Sequence, residues 1–332
     1  MIPMPIASGA ARAQDDFASH AKSLVIGQDE AIDIIVPYIE LYQAGLSPSG
    51  RPVGVFLLAG PTGTGKTHTV EVLAEVLHGS RRNVLRVDCG EFQMDHEVAK
   101  LIGAPPGYLG HRETQPMINQ QKINAVASER SGLSLVLFDE IEKAALSMQR
   151  LLLGILDRAT MKLGDGSSVN FERSLIFMTS NLGAKEMQQK LTGGYGFDGA
   201  KPDAALEKIG VGAIRKAFTP EFINRIDKIV TFRPLGDKEV ERILDLELRS
   251  VQSLLDERLG PATFTLDVRR NARFALLDSG VSEANGAREM KRVIHREIVQ
   301  PMARMVLDRK ISAGGILICD ARDGVILMEA AR

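Results

Sequence analysis

The sequence Gly60-Pro-Thr-Gly-Thr-Gly-Lys-Thr67 gives the strongest indication of the fold, because it fits the pattern G-x-x-x-x-G-K-[ST] of a phosphate-binding loop. The apolar run 53–59 before it is long enough for a buried strand, and a helical pattern over 66–78 follows it. Glycines let the backbone curl so that successive N–H groups face phosphate oxygens, and the start of the helix adds partial positive charge. We therefore expect Lys66 to reach the outer phosphates of a nucleotide and the Thr67 hydroxyl to ligate Mg²⁺.

A second signal lies 73 residues beyond Lys66, where the run 133–138 ends in Asp139 and Glu140. The apolar residues of this run predict a buried strand that delivers two adjacent carboxylates at its carboxyl end, where open α/β sheets collect their ligands. We expect Asp139 to hold the metal and Glu140 to orient and deprotonate an attacking water. Taken alone, the pair could be a helix cap or an exposed turn, but the upstream loop favours the catalytic interpretation.

Buried strands and helices alternate along the first two thirds of the chain. Further apolar runs that predict strands lie at 84–87, 174–179 and 228–232. Helical patterns lie at 28–45, 66–78, 117–130, 145–158 and 204–217. This alternation predicts an α/β fold with a parallel sheet that has helices on both faces.

The chain changes character after Pro234 and Gly236. The elements expected beyond this point are a charged helix over 237–259, a strand over 263–266, helices near 268–279 and 287–307, and strands over 316–319 and 325–328 around a turn at Asp323-Gly324. We predict a flexible amino-terminal arm over 1–20, a large P-loop domain over 21–234 and a small, mainly helical α+β domain over 235–332.

Composition excludes several classes of protein. The chain has 332 residues, of which 44% are hydrophobic and 25% charged, so a disordered or low-complexity chain is excluded. Its 41 Lys and Arg against 42 Asp and Glu argue against a globally basic nucleic-acid binder. Two cysteines, Cys89 and Cys319, make no disulfide framework. Neither a bilayer-spanning apolar run nor a secretory signal is found, so we expect a cytoplasmic protein.

Eight stretches, in order, make the chain resemble the second AAA+ module of the Clp unfoldases and disaggregases. They are Val25–Gln28, Arg51–Gly54, Gly60–Thr67, Gly103–Gly110, Phe138–Ala144, Met178–Gly183, Phe218–Asp227 and Gly286–Arg288. The resemblance runs from Val25 to Met328. It implies a P-loop AAA+ large domain followed by a small lid domain, with ATPase activity and with ATP and Mg²⁺ as cofactors.

The resemblance also assigns roles to residues outside the two motifs. It implies that Asn181 is the sensor-1 residue and that Arg225 is an arginine finger acting in the site of a neighbouring subunit. It implies that Arg288 is the sensor-2 residue of the small domain and that Val25 and Ile26 pack against the adenine. The other nucleotide contacts that it implies are Pro61, Thr62, Gly63, Thr64, Gly65 and His68.

These roles have structural alternatives. Asn181 could be an ordinary asparagine in a turn before Gly183. Arg225 could form an ordinary salt bridge with Glu221 or Asp227. Arg288 could belong to the solvated cationic face of its helix, and residues 25–26 could be plain core. If Arg225 acts on a neighbour, a single chain lacks a complete site, so the resemblance implies a ring, usually of six subunits.

A glycine-framed loop suggests what such a ring would act on. Tyr108 follows two prolines and lies between two glycines, and the resemblance implies that it lines a central channel and grips a translocating polypeptide. A second loop, Leu163–Ser168, is predicted to form a hairpin that could also reach the channel. The favoured function is therefore an ATP-driven protein unfoldase. The alternatives are a motor for nucleic acid and a nucleotide-dependent scaffold without turnover.

A third loop concerns a partner. Peptidase-docking members of the Clp family carry an aliphatic-Gly-Phe or aliphatic-Gly-Leu loop where this chain has Tyr195-Gly196-Phe197. Docking to a barrel peptidase and an ordinary surface loop both fit this tripeptide. A remodelling ATPase without a peptidase partner therefore remains an alternative, as do a single-ring protein and one half of a two-ring protein.

Overall fold

The computed structural model describes residues 9–103, 116–192, 202–280 and 287–331. The predicted pore-loop residue Tyr108 and the loop Tyr195-Gly196-Phe197 lie outside these ranges. The chain divides into two compact units, one of residues 1–61 and 65–233 and the other of residues 62–64 and 234–332.

A parallel sheet of five strands forms the centre of the first unit. The strands of this unit are β1 (Gly54–Ala59), β2 (Leu85–Asp88), β3 (Ser134–Asp139), β4 (Thr160–Lys162), β5 (Ser168–Asn170), β6 (Ser174–Ser180) and β7 (Lys228–Thr231). The order in the sheet is β2-β3-β6-β1-β7, and every pairing in it is parallel. The predicted parallel sheet is thus confirmed.

Helices cover both faces of this sheet. They are α1 (Gly9–Leu24), α2 (Asp29–Gln43), α3 (Lys66–His78), α4 (Val98–Ile102), α5 (Gln120–Val126), α6 (Leu146–Arg158), α7 (Ala184–Thr192), α8 (Pro202–Ala217) and α9 (Pro220–Ile223). Along β1, Val55 and Leu57 enter one apolar cluster while Phe56 and Leu58 enter the other. Successive side chains of a strand point to opposite faces, so this strand is apolar throughout because both of its faces are covered.

The amino-terminal region differs from the predicted arm. Residues 9–20 belong to helix α1, and Phe17, Ala18, Ala21 and Leu24 pack in the apolar cluster on one face of the sheet. These four positions recur at helical spacing and form one apolar face. The abundance of alanine and serine had suggested a loose arm, but alanine is the strongest helix former.

One helix is shorter than the sequence predicts, whereas a predicted hairpin is present. Helix α5 starts only at Gln120, because the Asn119 side chain accepts a hydrogen bond of 2.8 Å from the Lys122 N–H and caps the helix there. The predicted hairpin is confirmed: β4 and β5 pair antiparallel, and Asp165 Oδ1 accepts hydrogen bonds from the Ser167 N–H and hydroxyl in the turn.

The second unit packs helices against a sheet of three strands. Its elements are α10 (Asp237–Leu259), β8 (Thr265–Val268), α11 (Arg270–Gly280), α12 (Ala287–Ile294), α13 (Gln300–Leu307), β9 (Ile316–Arg322) and β10 (Val325–Ala331). The strand order is β10-β9-β8, and Asp323 and Gly324, both with positive φ, form the predicted turn between β9 and β10. A π-helical turn, His295–Val299, separates α12 from α13. Pro301, the second residue of α13, lacks the N–H that a regular helix continuing from α12 would need there.

Candidate functional site

The phosphate-loop sequence forms the connection between β1 and α3, at the carboxyl end of a central strand. Three glycines adopt positive φ angles: Gly60 at 149°, Gly63 at 77° and Gly65 at 103°. Gly60 also has no room for a side chain, since a Cβ there would lie 2.4 Å from the Phe232 carbonyl oxygen. The loop can therefore curl as phosphate binding requires only with glycine at these positions.

Lys66 lies at the first position of α3 and is 7% exposed. Its ammonium donates to the carbonyl oxygens of Gly60 at 2.6 Å and Pro61 at 2.8 Å, and to Asn181 Oδ1 at 2.9 Å. The ammonium therefore points into the loop and not into solvent. The structure thus brings together two of the predicted site residues, Lys66 and Asn181.

Asp139 ends β3 and has a side chain that is only 9% exposed. Its Oδ1 atom accepts a hydrogen bond from the Thr67 hydroxyl at 3.3 Å and another from the Thr179 hydroxyl. Its Oδ2 atom pairs with the guanidinium group of Arg86. Each oxygen of this buried carboxylate therefore has partners, as burial of a charge requires.

Glu140 follows at φ 58°, in the left-handed region that residues other than glycine rarely adopt. Its N–H donates to the Thr179 hydroxyl at 3.0 Å. Its Oε1 atom accepts from the Asn181 amide at 3.4 Å, and its Oε2 atom pairs with Lys143, whose pKa is raised by this hydrogen bond. The strained backbone turns the carboxylate toward Asn181, as is common at functional sites.

Asn181 connects the two halves of this cluster. It follows β6, the neighbour of β3 in the sheet, and its own N–H donates to Glu142 Oε1 at 3.0 Å. Its amide group faces the Lys66 ammonium through oxygen and the Glu140 carboxylate through nitrogen. Lys66, Thr67, Asp139, Glu140 and Asn181 thus form one cluster, which we call the loop–carboxylate cluster.

Arg225 is held by carboxylates of its own chain. Its guanidinium donates to the Glu221 carbonyl oxygen at 2.8 Å and lies 3.3 Å from Glu221 Oε1 and 3.7 Å from Asp157 Oδ1. Asp227, the other expected partner, instead accepts from the Val55 N–H at 2.8 Å and lies 3.5 Å from Arg51. A role of Arg225 in a neighbouring subunit stays a prediction.

The remaining predicted nucleotide contacts lie in different settings. Val25 is buried in the apolar cluster, and Ile26 is 7% exposed. His68 Nε2 lies 3.2 Å from the Leu24 carbonyl oxygen, beside this pair. Arg288 lies in α12 of the second unit and is exposed. Their predicted contacts with a nucleotide stay predictions.

The sequence did not mark three residues that contact the cluster. Thr179 binds both Asp139 and Glu140 through its hydroxyl, Arg86 pairs with Asp139, and Lys143 pairs with Glu140. A signal was present for Arg86, because it is a charged residue inside a predicted strand. Its pairing with Asp139 depends on β2 and β3 being neighbours in the sheet, which the sequence alone does not specify.

The donor set fits a hard divalent cation. Thr67 Oγ1 and Asp139 Oδ1 lie 3.3 Å apart, and Mg²⁺ prefers oxygen ligands supplied by one or two protein groups together with phosphates and water. The loop beside them is shaped to receive phosphates. The residues present therefore fit a magnesium–nucleotide complex.

Cys89 lies directly after β2 and is fully buried. Burial, and then the nearby carboxylates of Asp139, Asp88, Glu142 and Glu140, raise the pKa of its thiol well above the ordinary value. A thiol that stays protonated is a poor nucleophile. Cys89 is therefore a packing residue beneath the cluster.

Comparison with known proteins agrees with this geometry. A family model described as AAA domain (Cdc48 subfamily) matches residues 51–229, which is more than half of the chain. The chain belongs to this AAA family. A second model, described as the C-terminal, D2-small domain of ClpB protein, matches residues 235–319 of the AAA chain.

Curated relatives of this AAA protein are chaperones. It is 37% identical over 293 residues to chaperone protein ClpB of Meiothermus ruber, which covers 88% of this chain and 32% of the relative. It is 37% identical over 302 residues to ClpB of Rhodopseudomonas palustris, which covers 91% of this chain and 32% of the relative. The AAA chain thus spans about a third of the length of the curated relatives it matches. The predicted Clp-type resemblance is confirmed.

Solved structures agree with the fold of both parts. The AAA chain is similar to the S. cerevisiae Hsp104:casein complex in its extended conformation, with a TM-score of 0.82 and 27% identity. A closed-state reconstruction of Hsp104 with ATPγS and FITC casein gives a TM-score of 0.81, also at 27% identity. Each match covers 98% of this chain and 53% of the other. Among the described residues, no helix has the length and apolar character of a membrane span.

Proposed function

We propose that this chain is the ATP-hydrolysing motor of a Clp-type ring that remodels proteins by pulling polypeptide through a central channel. The observation that carries the proposal is the loop–carboxylate cluster at the carboxyl edge of the sheet. It combines a cation in a phosphate loop, a carboxylate beside a hydroxyl, and a second carboxylate beside an amide. These are the parts that phosphoryl transfer to water requires.

Lys66 is the residue that meets the outer phosphates. Its ammonium is already held inside the loop by two carbonyl oxygens and the Asn181 amide oxygen, so phosphate oxygens need only replace these neutral acceptors. Charge-assisted hydrogen bonds to phosphate are stronger than those to carbonyl groups. The N–H groups of the loop residues Thr62–Gly65 surround the same phosphates.

Thr67 and Asp139 would hold Mg²⁺. The metal, when bound, neutralises charge that develops on the phosphate oxygens. Asp139 is fixed for this task from three sides, by Thr67, Thr179 and Arg86. The carboxylate therefore needs little reorganisation on binding.

Glu140 is the general base of the proposed hydrolysis. Its Oε1 atom and the Asn181 amide nitrogen lie 3.4 Å apart, so a water held beside both groups would have a proton acceptor and a donor at once. Asn181 also touches the Lys66 ammonium, which places the water binder next to the phosphate binder. In this proposal, Asn181 couples recognition of the outer phosphate to placement of the water.

A residue of the neighbouring subunit and further residues of the same chain complete the proposed site. Arg225 supplies positive charge to the site of a neighbouring subunit, for which it exchanges its ion pairs with Glu221 and Asp157. Arg288 contributes a second cation, and Val25, Ile26 and His68 bind the base side of the nucleotide. A closed ring, six subunits in the Clp-type resemblance, follows from such head-to-tail contacts.

An unfolded polypeptide is the proposed substrate. The curated relatives are named chaperone proteins, and both Hsp104 structures contain casein. Tyr108 is the proposed gripping residue. The segments that flank residues 104–115 are hydrogen-bonded to each other, since the Met117 and Ile118 N–H groups donate to the Lys100 and Leu101 carbonyl oxygens.

A peptidase partner and a nucleic-acid substrate are not part of the proposal. The relatives and the solved structures give neither of them support. We expect a cytoplasmic remodelling ATPase that acts on polypeptide.

Stimulation of ATP hydrolysis by different polymers tests the substrate class. Hydrolysis is measured alone, with casein, and with single-stranded and duplex DNA. We expect casein to stimulate hydrolysis several-fold and DNA to leave it unchanged. Tyr108→Ala should abolish stimulation by casein and unfolding of a tagged protein. Stimulation by DNA and not by casein would overturn the proposed substrate.

A further inference from the structure

Arg86 is a charged residue in β2, an edge strand of the five-stranded sheet whose one neighbour is β3. It lies opposite Leu137 of β3. On one face of a sheet, residues opposite and diagonal to each other are within reach of long side chains. Asp139 lies two positions beyond Leu137 on the same face, and the Arg86 guanidinium reaches its Oδ2 atom.

The two oxygens of Asp139 face different partners. Oδ2 pairs with the Arg86 cation, whereas Oδ1 lies among the hydroxyls of Thr67 and Thr179. A rotation of the carboxylate about its Cβ–Cγ bond would exchange the two oxygens. The ion pair with Arg86 opposes that rotation, so Oδ1 stays on the side of Thr67.

Exposure of the pair indicates where the cation lies. The Arg86 side chain is 50% exposed, while that of Asp139 is 9% exposed. The guanidinium therefore approaches from the solvent side and leaves the Thr67 side of the carboxylate to another ligand. Partners that hydrogen-bond a metal-ligating carboxylate fix its orientation, and their loss typically lowers metal affinity about 10–100-fold.

We propose that Arg86 is a positioning residue for the metal site: by holding Asp139 Oδ2, it keeps Asp139 Oδ1 directed at Thr67 and so sets the affinity for Mg²⁺. The inference rests on the proposed function, since it assigns the Thr67–Asp139 pair to Mg²⁺. It assigns Arg86 no contact with the nucleotide. In the opposite role, Arg86 would compete with the divalent cation, and its removal would strengthen metal binding.

Equilibrium binding of a fluorescent ADP analogue separates these roles without relying on turnover. Binding is measured in EDTA and then as a function of Mg²⁺ concentration for the wild type, Arg86→Gln and Arg86→Lys. We expect the Mg²⁺ midpoint of Arg86→Gln to rise about 10–100-fold, with affinity in EDTA unchanged within twofold. Arg86→Lys keeps the positive charge but loses the planar guanidinium group, so its Mg²⁺ midpoint should lie between those of the wild type and Arg86→Gln.

Arg81→Gln is the matched control. Arg81 forms a surface ion pair with Glu75 at 2.7 Å and has a similarly exposed side chain, so its loss should leave the Mg²⁺ midpoint unchanged. A midpoint of Arg86→Gln within twofold of the wild type, or below it, would overturn the positioning role. Thermal melting checks that each variant folds. If Arg86→Gln does not fold, an Mg²⁺ midpoint of Arg86→Lys equal to that of the wild type would overturn the positioning role.

The same measurement distinguishes an error in the proposed function from an error in the role of Arg86. If the wild type does not bind the analogue, or binds it equally with and without Mg²⁺, the assignment of Thr67 and Asp139 to the metal is wrong. If the wild type depends on Mg²⁺ and the Arg86 variants follow it, only the role of Arg86 is wrong. Mn²⁺ binding in the presence of ADP, followed by electron paramagnetic resonance, gives an independent measure of metal affinity.

Discussion

Asn181 Oδ1 accepts a hydrogen bond of 2.9 Å from the Lys66 ammonium, although the two residues are separated by 115 positions in the sequence. The contact exists because β1 and β6 are adjacent parallel strands, whose carboxyl ends meet at one edge of the sheet. The same amide group binds Glu140 Oε1 through its nitrogen. One side chain therefore contacts both the proposed phosphate binder and the proposed base.

Replacement of Asn181 by alanine should slow hydrolysis more than it weakens binding. The variant loses the group that orients the water and keeps the phosphate loop, so we expect kcat to fall at least about tenfold. Nucleotide affinity should change by less than about threefold. Steady-state hydrolysis and equilibrium nucleotide binding measure the two effects, and a loss of binding alone would contradict the proposed role of Asn181.

Gly60 should tolerate no side chain. In Gly60→Ala the new Cβ would meet the Phe232 carbonyl oxygen at 2.4 Å, at a φ of 149°, so we expect a loss of about 2–4 kcal/mol in the free energy of unfolding. Gly212→Ala is the control, because a Cβ there meets nothing within 4 Å in the interior of α8. Chemical denaturation should show this control unchanged or about 0.5–1 kcal/mol more stable. Equal effects of the two substitutions would contradict the close contact at Gly60.

His78 should make the stability of the large domain depend on pH. Burial lowers the pKa of His78, which lies at the end of α3 with Nδ1 2.9 Å from the Ser128 hydroxyl. A group whose pKa is lower in the folded state contributes stability above its unfolded pKa, about 6.5, and that stability is lost as the pH falls through the folded value. We expect the free energy of unfolding to fall below about pH 6.5.

The variant His78→Gln tests this assignment, since it cannot take up a proton. Its free energy of unfolding should fall less steeply in acid than that of the wild type. His20→Gln, at an exposed position of α1, is the control and should keep the wild-type slope. A slope unchanged in His78→Gln would show that other groups cause the acid sensitivity.

Mixed rings should reveal whether Arg225 acts on a neighbour. Rings of Arg225→Ala alone lack the finger, and rings of Glu140→Gln alone lack the base, so each should be nearly inactive. In a one-to-one mixture, about a quarter of the interfaces would combine an intact Glu140 with an intact Arg225 of the adjacent subunit. We expect hydrolysis to recover on mixing, whereas no recovery would indicate that Arg225 serves only its ion pairs with Glu221 and Asp157.

Local patterns predicted the sheet and both motifs because their information lies within short stretches. Strands β1, β3 and β6 are buried throughout and mostly apolar, since both faces of the sheet are covered. Gly60–Thr67 and Asp139–Glu140 carry their chemistry in adjacent residues. The order β2-β3-β6-β1-β7 was not available from these patterns, because neighbours in the sheet are set by packing and not by succession in the chain.

The residues that the sequence did not predict contact Asp139 from the strands on either side of β3. Arg86 reaches Asp139 from the neighbouring strand β2. The Thr179 hydroxyl donates to Asp139, the last residue of β3, and accepts a hydrogen bond from the N–H of the next residue, Glu140. Helix α1 escaped for a different reason, since its apolar face consists of few residues among alanine and serine. Polar contacts between strands, and a helix whose apolar face is short and built partly of alanine, leave little trace in one sequence.

Glu140→Gln gives the most direct test of the central claim that this cluster hydrolyses ATP with Glu140 as the base. The substitution keeps the size and hydrogen-bonding reach of the side chain and removes its ability to take a proton. ATP binding and ATP turnover are measured on the same preparation. The account predicts that ATP binding persists and turnover falls about 10²–10⁴-fold. Turnover near that of the wild type would contradict it, because another group would then have to activate the water.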